Sequence, residues 1–115
     1  MKDTRVKLVL ASASPRRVAL LEQADLPPDL LCPMDIDETP KKRETGRALA
    51  MRLARDKSEA AAITRQVEEL GTNSFVLAAD TVVSVGRRIL HKPATLEEAA
   101  SHLRVLSGRS HRVYT

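Results

Sequence analysis

The chain has 115 residues, within the span of one domain, and so short a chain buries only about two thirds of its unfolded surface, so one modest core is expected. Nineteen Lys and Arg against fifteen Asp and Glu leave a net charge of +4, which points to an anionic partner, while one Phe, one Tyr and no Trp leave few platforms for stacking bases. A small phosphorylated ligand therefore fits better than nucleic acid, and a lone Cys32, no run approaching the ~20 apolar residues of a membrane span and no leader-like start make a reducing cytoplasm the expected setting.

Leu8 to Ala11 is continuously apolar rather than alternating, the pattern of a short buried strand. Ser14 then Pro15 predicts a helix start, with the serine hydroxyl capping free backbone N–H groups and the proline, which has no N–H to lose, in first position. Val18, Leu20, Leu21 and Ala24 supply the apolar face of that helix, and Pro27-Pro28 ends it. Leu30 to Ile36 reads as irregular, partly extended chain, and DIDETPKKRETG, from Asp35 to Gly46, as a charged surface loop. From about Thr45 to Leu70 one long helix is predicted, with Leu49, Leu53, Ala60, Ile63 and Val67 on one face and Gly71 as the stop.

Ser74 to Val85, SFVLAADTVVSV, reads as a long buried strand interrupted by Asp80, which Gly86-Arg87 turns into a second strand at Arg88 to His91. Beyond Lys92-Pro93, Thr95 and Glu98 make a capping box for a helix whose Leu96, Ala99, Leu103 and Leu106 face inward. Ser107-Gly108 closes it and HRVYT begins a last strand. This alternation predicts an α/β fold, a mixed twisted sheet with flanking helices. A final strand with nothing after it to cover it reads as a domain cut short at its C-terminus.

Several side chains carry chemistry. A helix N-terminus favours bound phosphate and disfavours cations, so Arg16 and Arg17 in the first turn conflict with the helix by a few tenths of a kcal/mol or more. An anion held between them and the free N–H groups removes the conflict; two solvated arginines simply tolerate it, and spacing alone does not separate these readings. The turn lacks the glycines of a P-loop or a dinucleotide fingerprint. Asp80 lies in an apolar run, where a carboxylate is expensive without a partner, and metal coordination, water activation or pairing with a lysine each account for it, as does a structural ion pair.

Glu38 is one of four acids in a short loop with Asp35, Asp37 and Glu44, a run that is usually just solvated. With Asp80 it offers hard oxygen ligands of the kind that suit Mg²⁺ or Mn²⁺ bound together with phosphates. Lys57 in the apolar stripe of its helix either meets an anion or snorkels to solvent, and Lys92 is a candidate cation or an ordinary surface lysine. Cys32 has no neighbouring His or CxxC pattern, His91, His102 and His111 lack zinc-ligand spacing, and no serine sits in a GxSxG elbow. What remains is four cations and two carboxylates, the inventory of a metal-assisted reaction on a polyphosphate; a non-catalytic nucleotide or nucleic-acid binding module is the alternative.

In order along the chain, LASASPRR, DETP, RLARDKSEA, AADTVV, KP and LSGRSHRVYT resemble the signature segments of the Maf-like nucleoside triphosphate pyrophosphatases, a family once described as septum-formation inhibitors. The resemblance implies a Maf/ITPase-like fold, a single domain over residues 1–115 without the C-terminal part of the family fold, and hydrolysis of a nucleoside triphosphate to the monophosphate and pyrophosphate. It implies Asp80 as proton acceptor, with Glu38 near the metal and water, and Mg²⁺ or Mn²⁺ as cofactor. Arg16, Arg17, Lys57 and Lys92 would hold phosphates, Ser12 and Ser14 shape the turn, and Thr81, with Arg16, influences base choice. ADT and LSGR look like the branch acting on dTTP and UTP rather than the branch preferring 7-methyl-GTP, so the expected substrates are dTTP and UTP or modified nucleotides. A last strand with an open edge favours a homodimer, and neither a stable nucleic-acid partner nor a membrane is expected.

Overall fold

The computed structural model describes residues 5–115. The described residues form two compact units, one from Arg5 to Glu38 and from Leu53 to Ala79, the other from Thr39 to Arg52 and from Asp80 to Thr115. One helix, α2 (Gly46–Ala62), contributes to both. The α/β class expected from the sequence is the class observed, and parallel and antiparallel pairing each occupy their own three-stranded sheet.

In the first unit β1 (Lys7–Leu10) is the central strand, parallel to β2 (Leu30–Leu31) on one side and to β3 (Ser74–Leu77) on the other. One face of this sheet packs into a core of Val9, Ala11, Cys32, Ala61 and Val67, the last two from α2 and from the short α3 (Arg65–Glu68). Cys32 is buried there and free, a packing residue as its isolation in the sequence suggests. The opposite face leaves Phe75 63% exposed. The helix after β1, α1 (Pro15–Gln23), starts at the predicted Pro15 but fully buries none of its residues: of its expected apolar face Val18 and Leu21 are half-buried and Leu20 is exposed.

Two predicted elements are each broken in two. The long helix stops at Ala62 because the Thr64 hydroxyl donates to the Ala61 carbonyl at 2.7 Å and accepts from the Val67 N–H, which ends one helix and caps the next. Ile63, placed by periodicity on the buried face, is 78% exposed. Gly71, at φ 87°, is the stop that the sequence marked. The long strand divides at Ala78–Thr81: β3 belongs to the parallel sheet, whereas β4 (Val82–Val85) belongs to the second unit.

In that second unit β4 is flanked by β5 (Arg88–Leu90) and β6 (Arg112–Tyr114), both antiparallel to it. Gly86-Arg87 makes the hairpin turn, with Gly86 at φ 58°, where a side chain would be strained. The last helix, α4 (Leu96–Leu106), is capped at Thr95, which accepts from the Glu98 N–H at 3.1 Å. Its expected inward face is not buried, and Leu96 is 90% exposed.

Candidate functional site

The predicted residues fall in both units. In the first, β1 runs into a buried turn at Ser12. The Ser12 hydroxyl accepts from the Ser14 N–H and from Arg17 Nη1, each at 3.1 Å, so Arg17 is folded back over the turn while Arg16 stays exposed. Ser14 is the N-cap residue and Pro15 takes the first helical position, but the Ser14 hydroxyl makes no cap bond, contrary to expectation. The Ser14 hydroxyl therefore does not serve the first-turn N–H groups of α1, the turn that carries Arg16 and Arg17.

Lys57, on α2, points its ammonium at Glu38 with Nζ to Oε1 at 3.0 Å. The lysine side chain is only 14% exposed, which rules out snorkelling to solvent, whereas Glu38 is 58% exposed. The pair thus presents a sheltered cation beneath an accessible carboxylate.

Asp80 opens the second unit, half-buried in the link ahead of β4 rather than within a strand. The neighbouring Thr81 is exposed, its hydroxyl 3.2 Å from that of Thr115. Lys92 is exposed in the link between β5 and α4. Glu98 ties that link down: one carboxylate oxygen accepts from the Ala94 N–H at 3.0 Å and lies 3.1 Å from His91 Nε2. The Ala94 bond first, and His91 after it, hold the Glu98 carboxyl below the usual carboxylate range.

One arrangement escaped sequence reasoning. Arg52 Nε and Nη2 grip both oxygens of Glu44 at 2.7 and 2.9 Å, and Nη2 also donates to the Thr39 carbonyl at 3.0 Å. With the Lys41 N–H donating to the same carboxylate, this clamp fixes the loop that follows Glu38. The Arg52 guanidinium and the Lys41 N–H lower the Glu44 pKa from 4.5 to about 2. The only sequence signal was a basic residue on the loop-facing turn of a helix.

Among the described residues no three His, Cys, Asp or Glu side chains gather, and no helix is long and apolar enough to cross a membrane. Arginines at a strand-to-helix turn and a sheltered lysine beside an exposed glutamate stand in the first unit of an α/β protein. The chain belongs to the Maf family: residues 7–115 match the family described as Maf-like protein. It is 60% identical over 111 residues to a dTTP/UTP pyrophosphatase of Nitrobacter winogradskyi, covering 96% of this chain and 54% of that protein. Proteins of the same name from Chelativorans sp. (62% over 109 residues, 95% and 52%) and Bradyrhizobium diazoefficiens (58% over 111 residues, 96% and 53%) are similar to it. The chain spans about half the length of the curated relatives it matches.

Proposed function

We propose that this chain carries phosphate-binding and catalytic residues of a nucleoside triphosphate pyrophosphatase acting on dTTP and UTP in the cytoplasm. The observation that carries this reading is the family match over residues 7–115, a span containing every side chain assigned above. In the reaction a water oxygen bonds to the α-phosphorus, the bridge from α-phosphorus to the β-phosphate oxygen breaks, and pyrophosphate leaves with the bond electrons. Asp80 takes the proton of the attacking water. Arg16 and Arg17 bind phosphate oxygens together with the free N–H groups of α1, and Lys57 and Lys92 add charge that offsets the growing negative charge on the leaving group. Ser12 orients Arg17 through its 3.1 Å hydrogen bond, and Ser14 shapes the turn. Thr81, with Arg16, bears on base choice.

The donor chemistry fits a divalent cation. Glu38 meets Lys57 through Oε1 in the 3.0 Å contact, and both Glu38 and Asp80 offer hard carboxylate oxygens of the type that bind Mg²⁺ or Mn²⁺ alongside substrate phosphates. Such an ion, when bound, supplies charge neutralisation at the phosphates.

Pyrophosphate release from dTTP, UTP and GTP with Mg²⁺ or Mn²⁺ tests the reading, with Asp80→Asn as control. Release from dTTP and UTP that requires the metal and falls by at least about 100-fold in the variant is expected. Metal-independent binding of nucleotide by a folded chain, without release, would instead indicate a binding module.

A further inference from the structure

Lys92 stands in the link from His91 to Thr95, between β5, which ends at Leu90, and α4, which starts at Leu96. Its side chain is exposed and has no hydrogen-bond or ion-pair partner among the described residues. The link has no helix or strand of its own, and Pro93 removes a backbone donor from it while steering Lys92 away from helical backbone. A lysine carried on such a link meets a phosphate in one place only if another group fixes the chain around it.

One oxygen does this. Glu98 Oε2, on α4, accepts from the Ala94 N–H at 3.0 Å and lies 3.1 Å from His91 Nε2, so bonds to a single atom fall on both sides of Lys92-Pro93. An ionised carboxylate only accepts, which puts the imidazole proton on Nε2. The carboxylate is anchored in turn. The Glu98 N–H donates to the Thr95 hydroxyl at 3.1 Å, and the His91 ring stands edge-on to that of His102, one turn further along α4, with ring centroids 5.0 Å apart. The Glu98 side chain is 42% exposed and that of His91 70%, and ion pairs this open contribute little to folding. What the two bonds decide is the place from which the Lys92 side chain departs.

We infer that Glu98 is a positioning residue for Lys92: its Oε2 holds the link on both sides of the lysine, so that the ammonium reaches phosphate oxygens from a fixed stretch of backbone. The inference rests on the reading of Lys92 as a phosphate ligand. A ligand that binds to a loose link must order it, and that cost is subtracted from its affinity, whereas a tethered link is ordered beforehand. His91, Lys92, Ala94 and Glu98 all belong to the second unit. Glu98 touches no substrate in this role and acts only through Lys92.

The test is a double-mutant cycle on the affinity of the full chain for pyrophosphate with Mg²⁺, measured by calorimetry for the parent, Glu98→Ala, Lys92→Ala and the double variant. Glu98→Ala should weaken binding by roughly tenfold, the factor set by ordering one backbone residue, and Lys92→Ala by at least as much. In the Lys92→Ala background Glu98→Ala should add no further loss, because the residue through which it acts is gone. Glu98→Gln, whose amide oxygen still accepts both bonds, should bind like the parent. The same cycle with His91→Ala, which cuts one of the two bonds and leaves the α4 cap intact, should show a smaller loss that also vanishes without Lys92, and it decides the matter should Glu98→Ala unfold. A parent chain that binds no pyrophosphate, or a Lys92→Ala chain that binds like the parent, refutes the reading of Lys92 and overturns the inference with it. A loss in Lys92→Ala beside unaltered binding in Glu98→Ala overturns the inference alone, as does a Glu98→Ala loss that persists without Lys92 or that Glu98→Gln fails to recover.

Discussion

Lys57 and Glu38 are close enough for an ion pair at 3.0 Å, yet the lysine is sheltered and the glutamate is not, so the pair divides into a fixed charge and an accessible one. Partly exposed ion pairs contribute little to folding, whereas a preorganised charge at a reacting phosphate contributes much. Lys57→Met should therefore change stability by no more than about 1 kcal/mol. The same substitution should reduce pyrophosphate release by about 100- to 1,000-fold. Parallel denaturation and rate measurements check this; a variant that unfolds readily and retains its rate contradicts the assignment. Glu44 behaves oppositely. Its folded carboxyl binds a proton more weakly than the unfolded one, with a pKa lowered from 4.5 to about 2, so the Arg52 clamp stabilises the fold above pH 4.5 and loses that contribution as pH falls toward 2. Glu44→Gln should be less stable than the parent at pH 7 and converge with it toward pH 2. Urea denaturation at a series of pH values measures this, and parallel curves across that window would show that the clamp is not what titrates. The Lys57 stripe and the four acids were visible in the sequence. The clamp was not, because Glu44 and Arg52 are eight positions apart across a loop-to-helix boundary and no periodicity links them.

At the scale of elements, strand and helix starts were legible where local chemistry sets them: Pro15 for α1, Thr95 with Glu98 for α4, Gly86-Arg87 for the hairpin. The break at Thr64 was not, since its hydroxyl bonds compete with helix continuation only once the chain has turned. Nor was the division at Asp80, because an apolar run does not encode which sheet each half joins. Gly46 is the least replaceable glycine among those described. A Cβ there meets Ser84 Oγ and comes within 3.3 Å of the Tyr114 ring, so Gly46→Ala pushes the start of α2 away from the sheet face. Overpacking of this kind costs about 1–3 kcal/mol. Ser84→Ala removes the overlapping oxygen, so the double variant should recover much of that loss. A thermal-denaturation cycle measures the coupling, and purely additive effects would mean that the two residues are not packed as described.

For the whole molecule, the decisive quantity is apolar surface left uncovered. The parallel sheet leaves Phe75 and Leu77 exposed on one face, and α4 and β6 leave Leu96, Leu103 and Val113 exposed. Sequence periodicity marked Leu96 and Leu103 as inward-facing, and both are exposed instead; a pattern specifies only that a side chain is suited to burial, not that a second surface covers it. Patches of this kind favour association, and an open strand edge adds unpaired backbone donors and acceptors to the attraction. The net charge of +4 opposes it, and that repulsion is screened as ionic strength rises. The expected outcome is a weight-average mass that climbs above 12.7 kDa with protein concentration and climbs further with added salt. Phe75→Lys and Leu103→Glu should each lower the mass at a given concentration, Phe75→Lys by adding like charge as well as removing apolar area. Sedimentation equilibrium decides the matter: a mass fixed at the monomer value across concentration and salt would mean that these faces do not self-associate, and that charge rather than apolar area governs the behaviour of the chain in solution.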